Sequence, residues 1–158
     1  NAYTTAALDL SGVTDNATIA ITADHTDLGG NPAVQATGSV VKDTDVPTLT
    51  ITAPADIAIA NATSYTLTGT CSEGSETVTL DIGGISATPS CSGGTWSLTA
   101  TDVSSASDSA TFALSADYTD AAGNPAIQAT DTIVKDTVLP TVTISSSPDI
   151  KLKFKLDP

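Results

Sequence analysis

Asp24-His-Thr-Asp-Leu-Gly-Gly-Asn-Pro-Ala33 returns later in the chain as Asp117-Tyr-Thr-Asp-Ala-Ala-Gly-Asn-Pro-Ala126, an offset of 93 residues. The same offset carries Val41-Lys-Asp-Thr44 onto Val134-Lys-Asp-Thr137, and Pro47-Thr-Leu-Thr-Ile51 onto Pro140-Thr-Val-Thr-Ile144. Without a gap it also pairs Tyr3 with Trp96, Asp9 with Asp102 and Asp15 with Asp108. A fixed period is the mark of a repeat architecture. A unit of this size fits an antiparallel sandwich, which needs about 100 residues. The chain is therefore expected to hold the C-terminal half of one repeat in residues 1–44. A complete repeat follows in 45–137, and the start of a further one in 138–158.

Within the complete repeat the apolar period is two. Thr48-Leu-Thr-Ile-Thr52 alternates, and Tyr65, Leu67 and Cys71 share one face of a second strand with threonines opposite. Thr77–Ile82 is a third strand, turned by Gly83-Gly84 into a fourth, Ile85–Ser90. A fifth holds Trp96 and Leu98. The sixth aligns Ala110, Phe112, Leu114, Ala116 and Tyr118, and the seventh runs from Ala126 to Lys135 after the Gly-Asn-Pro turn. Alternation broken by turn residues every 8 to 12 positions predicts an all-β fold of tandem Ig-like antiparallel β-sandwich repeats. No stretch carries a helical period.

Composition narrows the function. Eighteen acidic against five basic residues give the 158-residue chain a formal net charge of -13. Such a chain repels nucleic acid and anionic membrane surfaces, while its oxygen-rich turns suit hard divalent cations. Apolar residues at 40% are too many for a disordered chain, and aromatics at 4% leave the core to Val, Ile, Leu and Ala. No apolar run is long enough to span a bilayer, and Asn1 opens no signal peptide.

Asp120-Ala-Ala-Gly-Asn124, Thr70-Cys-Ser-Glu73 with Cys91-Ser-Gly-Gly-Thr-Trp96, and the linker Asp43-Thr-Asp-Val-Pro-Thr48 resemble the bacterial Ig-like (BIg-type) repeats of large surface adhesins and their stalks. The resemblance covers nearly the whole chain. It implies an extracellular, bacterial cell-surface setting and a role as a spacer, with ligand binding lodged elsewhere in the parent protein.

The residues offer little to an enzyme. His25 is the only histidine, and Tyr118 takes its place in the complete repeat. A catalytic base would not be exchanged between copies, so His25 reads as a strand residue, and neither a Ser-His-Asp triad nor a zinc site can be assembled. Trp96 could stack on a glycan, but its alternation with Leu98 makes it a core or rim anchor. Asn16-Ala-Thr and Asn61-Ala-Thr fit the glycosylation pattern. Lys42 and Lys135 end the last strands beside linkers, a poor place for an isopeptide bond to Asn. Cys71 and Cys91 end the second and fourth strands, which run the same way, so both lie at one end of the sandwich. A disulfide is the expected state there, with a pair of free thiols as the alternative.

The acidic turns are the strongest functional signal. Strand order returns the turn of Glu73 and the turn of Asp120 and Asn124 to the linker that precedes the repeat. Asp9 and Asp15 of the preceding half-repeat face that linker, with its Asp43 and Asp45, from the other side. Seven oxygen-bearing residues (Asp9, Asp15, Asp43, Asp45, Glu73, Asp120 and Asn124) thus become candidate ligands for Ca²⁺, which would remove their mutual repulsion and set neighbouring repeats in line. The alternative is a solvated acidic seam.

The expected function is that of a structural repeat of an extracellular fibre or adhesin stalk, whose partners are neighbouring repeats of the chain or further copies of itself. A glycan- or protein-binding module is a second reading. A self-assembling filament subunit is a third. In it Leu152, Phe154 and Leu156, alternating with Lys151, Lys153 and Lys155, would add as a strand to residues 1–44 of the next copy.

Overall fold

The structure, a computed structural model, describes residues 4–72 and 76–145. Glu73 and the strand-exchange candidates Leu152, Phe154 and Leu156 lie outside them. Among the described residues ten strands follow one another: β1 (Thr18–Ala23), β2 (Ala36–Val41), β3 (Ile57–Ala58), β4 (Tyr65–Thr70), β5 (Val78–Ile82), β6 (Ile85–Ala87), β7 (Cys91–Ser92), β8 (Thr95–Thr101), β9 (Ser109–Tyr118) and β10 (Ala129–Asp136). The described residues contain no helix.

Strands β3 to β10 form a two-layer sandwich. One sheet has the order β3-β10-β9-β5-β6 and the other β4-β8-β7. Their inward faces follow the expected alternation except at Ala110, which is exposed at the start of β9. Tyr65 and Leu67 from β4 and Trp96 from β8 meet Val78, Leu80 and Ile82 from β5 and Phe112, Leu114, Ala116 and Tyr118 from β9. The outward faces carry Thr66, Thr68 and Thr70. At about 25 cal/mol per Å² of apolar surface removed from water, this interior is the main source of stability.

Two hairpins rest on paired glycines. Gly83 (φ 58) and Gly84 (φ 92) connect β5 to β6, and Gly93 (φ 60) and Gly94 (φ 82) connect β7 to β8. Two consecutive positive φ angles make the turn whose twist matches paired strands. Gly69 is required for a different reason. A Cβ there would overlap the Thr50 carbonyl and the Trp96 indole, whose Nε1 donates to that same carbonyl at 3.0 Å.

Several boundaries differ from the sequence reading. The segment 48–52 is not a regular strand. It lies along β4 through Thr50 N to Thr70 O (3.0 Å), Thr52 N to Thr68 O (2.8 Å) and the Leu49↔Cys71 bridge. The fourth strand stops at Ala87, and Ser90 rejoins through a separate bridge to Thr77. The seventh begins at Ala129, and the residues before it pair only through the isolated Thr119↔Pro125 bridge and the Ala126 N–H to Tyr118 O bond (2.8 Å). Two short strands were not foreseen. β7 is one, and β3 is the other, pairing in parallel with β10 (Ile57 opposite Lys135, Ala58 opposite Asp136). The chain thus passes from the edge of one sheet at 48–52 to the edge of the other at 57–58.

Residues 4–44 contribute the two-stranded ribbon β1–β2. Its register repeats that of β9–β10. Ile19↔Val40 and Ala23↔Ala36 recur 93 positions on as Phe112↔Ile133 and Ala116↔Ala129, and the bridge Thr26↔Pro32 recurs as Thr119↔Pro125. His25 lies between β1 and Thr26, outside the strand in which it was expected.

Candidate cation site at the inter-repeat linker

The linker after β2 is tied back to the ribbon by its own polar groups. Thr44 donates to the Asp15 carboxylate from its backbone N–H (2.9 Å) and its hydroxyl (3.1 Å). Asn16, with φ 59, donates its N–H to Lys42 O at 2.7 Å, and its Nδ2 reaches Asp45 Oδ2 at 3.4 Å. Asp45 N–H donates to Asp43 Oδ1 at 3.1 Å, closing a short turn within the linker. These bonds bring the carboxylates of Asp15, Asp43 and Asp45 together, with one oxygen of each within 4.8 Å of the others.

Such crowding has an electrostatic signature. Asp45 is pushed above the ordinary carboxylate range, first by its hydrogen bond with Asp15 and next by that residue's charge. Desolvation acts to raise Asp15 as well. It is outweighed by the two Thr44 bonds, the shared bond with Asp45 and the Lys42 charge, so Asp15 is held below the ordinary value. Two acids at one site with opposite displacements behave as a pair that can hold one proton between them, or one cation. Three carboxylates also supply hard oxygen donors of the kind Ca²⁺ takes.

The other expected ligands are placed differently. Asp9 Oδ1 accepts from Ser11 N–H at 2.9 Å and does not join the group. Asp120 is buried, and both of its oxygens are occupied: Oδ1 accepts from Gly123 N–H (2.8 Å) and Asn124 N–H (2.7 Å), Oδ2 from Asn124 Nδ2 (2.9 Å). Burial alone would raise its pKa, and these bonds reverse the sign. Asn124 approaches the linker as a donor, from Nδ2 to Asp43 O at 3.3 Å.

At the far end of the sandwich, Asp108 takes the place of Asp15 and repeats its bonds to the linker, accepting from Thr137 N–H and hydroxyl at 3.0 Å each. The surroundings differ. Lys135 Nζ donates to Asp108 Oδ1 at 2.9 Å, with the lysine almost wholly buried, whereas Lys42 turns to Val13 O at 2.7 Å. Val138 also stands where the first linker has Asp45. The roles of Thr44, Asn16 and Lys135 were not foreseen. The repeat held the signal for Thr44, since Thr44/Asp15 and Thr137/Asp108 are equivalent pairs.

Cys71 and Cys91 are joined in a disulfide with Cα atoms 6.1 Å apart. It links the end of β4 to β7 within one sheet, beside the Gly93-Gly94 turn whose Gly94 O accepts from Cys71 N–H at 3.1 Å.

The fold is therefore that of an Ig-like sandwich with a repeat-equivalent ribbon before it. The sequence matches no protein-family model and none of the curated proteins. Among solved structures it is similar to bacterial Ig-like domains and tandem repeats of large adhesins. A Ca²⁺-stabilized adhesin with which an Antarctic bacterium reaches out and binds ice is 25% identical over 80% of this chain (TM-score 0.46), and the chain covers 33% of its length. A tetra-tandem repeat in the extending region of a large adhesion protein is 23% identical over 82% of this chain and 34% of its own (TM-score 0.47). A bacterial immunoglobulin-like domain from the M. primoryensis ice-binding adhesin is 26% identical over 58% of this chain and 98% of its own (TM-score 0.39).

Proposed function

We propose that this chain is a structural segment of a bacterial extracellular fibre or adhesin stalk, built of repeats that meet at residues 44/45 and 137/138. A Ca²⁺ ion at Asp15, Asp43 and Asp45 stiffens the first junction. The observation that carries the reading is the convergence of three carboxylates, one from the turn before β1 and two from the linker, where the repeats join. The gap-free 93-residue period supports a spacer, because repetition extends a chain without requiring a distinct site in each copy. The disulfide supports an oxidising, extracellular setting. Partners on this reading are neighbouring repeats or other copies.

Calorimetric titration with Ca²⁺, paired with thermal melts, tests it. A ligand at one hundred times its Kd adds about 2.7 kcal/mol to the folded state, so the melting temperature of the junction should rise by several degrees. Asp43→Ala and Asp45→Ala should each remove most of that rise. No heat at millimolar Ca²⁺ in the wild-type chain would leave the acidic seam a solvated surface and end the cation reading.

A further inference from the structure

We infer that Asn124 is a latch, independent of any cation, that fixes the linker against the sandwich and so orients Asp43 toward Asp15. The second clause rests on the cation reading above, whereas the first does not.

A primary carboxamide has two N–H donors. In Asn124 one is bound to Asp120 Oδ2 at 2.9 Å and the other to Asp43 O at 3.3 Å, across 81 residues of sequence. The side chain is held before it meets the linker. Asp120, buried and accepting three hydrogen bonds, clamps both the Asn124 backbone and its carboxamide, and Gly123 (φ 99) provides the bend. The residue it grips carries a cluster carboxylate, and Asp43 Oδ1 in turn accepts the Asp45 N–H. The linker is thus held from both sides, by Asp15 through Thr44 on the ribbon and by Asn124 on the sandwich.

Asn31 sits in the equivalent turn and makes the equivalent bonds to Asp27, from Nδ2 at 2.9 Å and from N–H at 2.8 Å, so the turn closes without any contact to residues 43–46. The bond from Asn124 to Asp43 O is therefore an addition to the turn and not a part of it.

The test uses the full chain, ¹⁵N-labelled, in EDTA. Heteronuclear NOEs of the Asp43, Thr44, Asp45 and Val46 amides should match those of the sandwich in the wild type. They should fall by roughly half in Asn124→Ala, as expected when ordered backbone becomes flexible, and stay unchanged in Asn31→Ala. Unchanged values in Asn124→Ala, or an equal fall in Asn31→Ala, overturn the latch. If Asn124→Ala does not fold, the wild type still decides. Both Asn124 carboxamide protons should exchange with water several-fold more slowly than the unbonded proton of Asn31, and equal rates sink the proposal. Ca²⁺ added to Asn124→Ala should bind about fivefold more weakly, the weight of one ordinary hydrogen bond. Unaltered affinity would remove the orienting role and leave the latch. Absence of Ca²⁺ binding by the wild type would instead remove the cation reading, with the EDTA result standing by itself.

Discussion

The ribbon β1–β2 and the hairpin β9–β10 are two copies of one stretch of sequence folded to one register in unlike surroundings. The Asp24–Gln35 pair of the first returns as Asp117–Gln128 in the second, and the Asp27–Asn31 turn returns as Asp120–Asn124. Burial does not return. Ile21 is 53% exposed and its equivalent Leu114 is 2% exposed. Register and turn are therefore local properties, set by side chain-to-backbone bonds and alternation. A core is a property of the opposing sheet, and among the described residues only the second copy has one.

Exchanging the paired side chains tests that contrast most directly. Leu114→Ala should cost about 3 kcal/mol through lost burial and the cavity left behind, seen as an earlier urea midpoint in Trp96 fluorescence. Ile21→Ala should stay within about 0.5 kcal/mol, as surface changes do. An equal cost at Ile21 would mean that the ribbon face is covered in solution.

The disulfide should separate the two regions next. Removing it with Cys71→Ala and Cys91→Ala opens a 20-residue separation and should lower sandwich stability by about 3 kcal/mol, on the loop-entropy account. Ribbon amide shifts should not move. Intact mass without reductant should be two hydrogens lighter than the thiol form, and quantitative labelling of both thiols in native protein would break the assignment.

Acid titration should give the smallest and most informative difference, because the signs are opposed. Asp108 is held below the ordinary carboxylate range, first by its hydrogen bond from Lys135 and next by the Thr137 N–H. Its contribution is therefore complete above that range and is lost as pH falls through its own lower pKa. Asp45 is raised, so its charged form weakens the junction, and acidification relieves that cost before Asp108 is affected. In EDTA, mild acid should sharpen the NMR signals of linker residues 43–46 while the sandwich is unchanged, and stronger acid should destabilise the sandwich. Asp108→Asn should flatten the second response only. Signals that broaden from the first drop in pH would contradict the raised Asp45.

Much of this was legible from residues alone. The repeat, the sandwich alternation of β4, β5 and β9 and the Gly83-Gly84 hairpin all follow from near-neighbour rules. The strand β3 did not, because two residues pairing in parallel across 78 positions leave no period to read. The candidate site was legible as a place and less so as a ligand set. Up-and-down strand order brought Asp15, Asp43 and Asp45 to the linker, but not the direction in which Asp120 and Asn124 spend their hydrogen bonds. Those depend on turn geometry, in which one carboxylate accepts three donors from its own loop.

The parallel contact between β3 and β10 joins the first and last strands of the larger sheet, Ile57 to Lys135 and Ala58 to Asp136. A pull along the chain draws β3 backward from its N-terminal end and β10 forward from its C-terminal end. Two strands running the same way then slide against each other, and their bonds are strained together in shear rather than peeled open one by one. The buried Lys135 lies in that contact and grips Asp108 beside it. Tension applied across the sandwich reaches this short, braced seam once the antiparallel contact of 48–52 with β4 has yielded, and the interior behind it is spared until the seam slips.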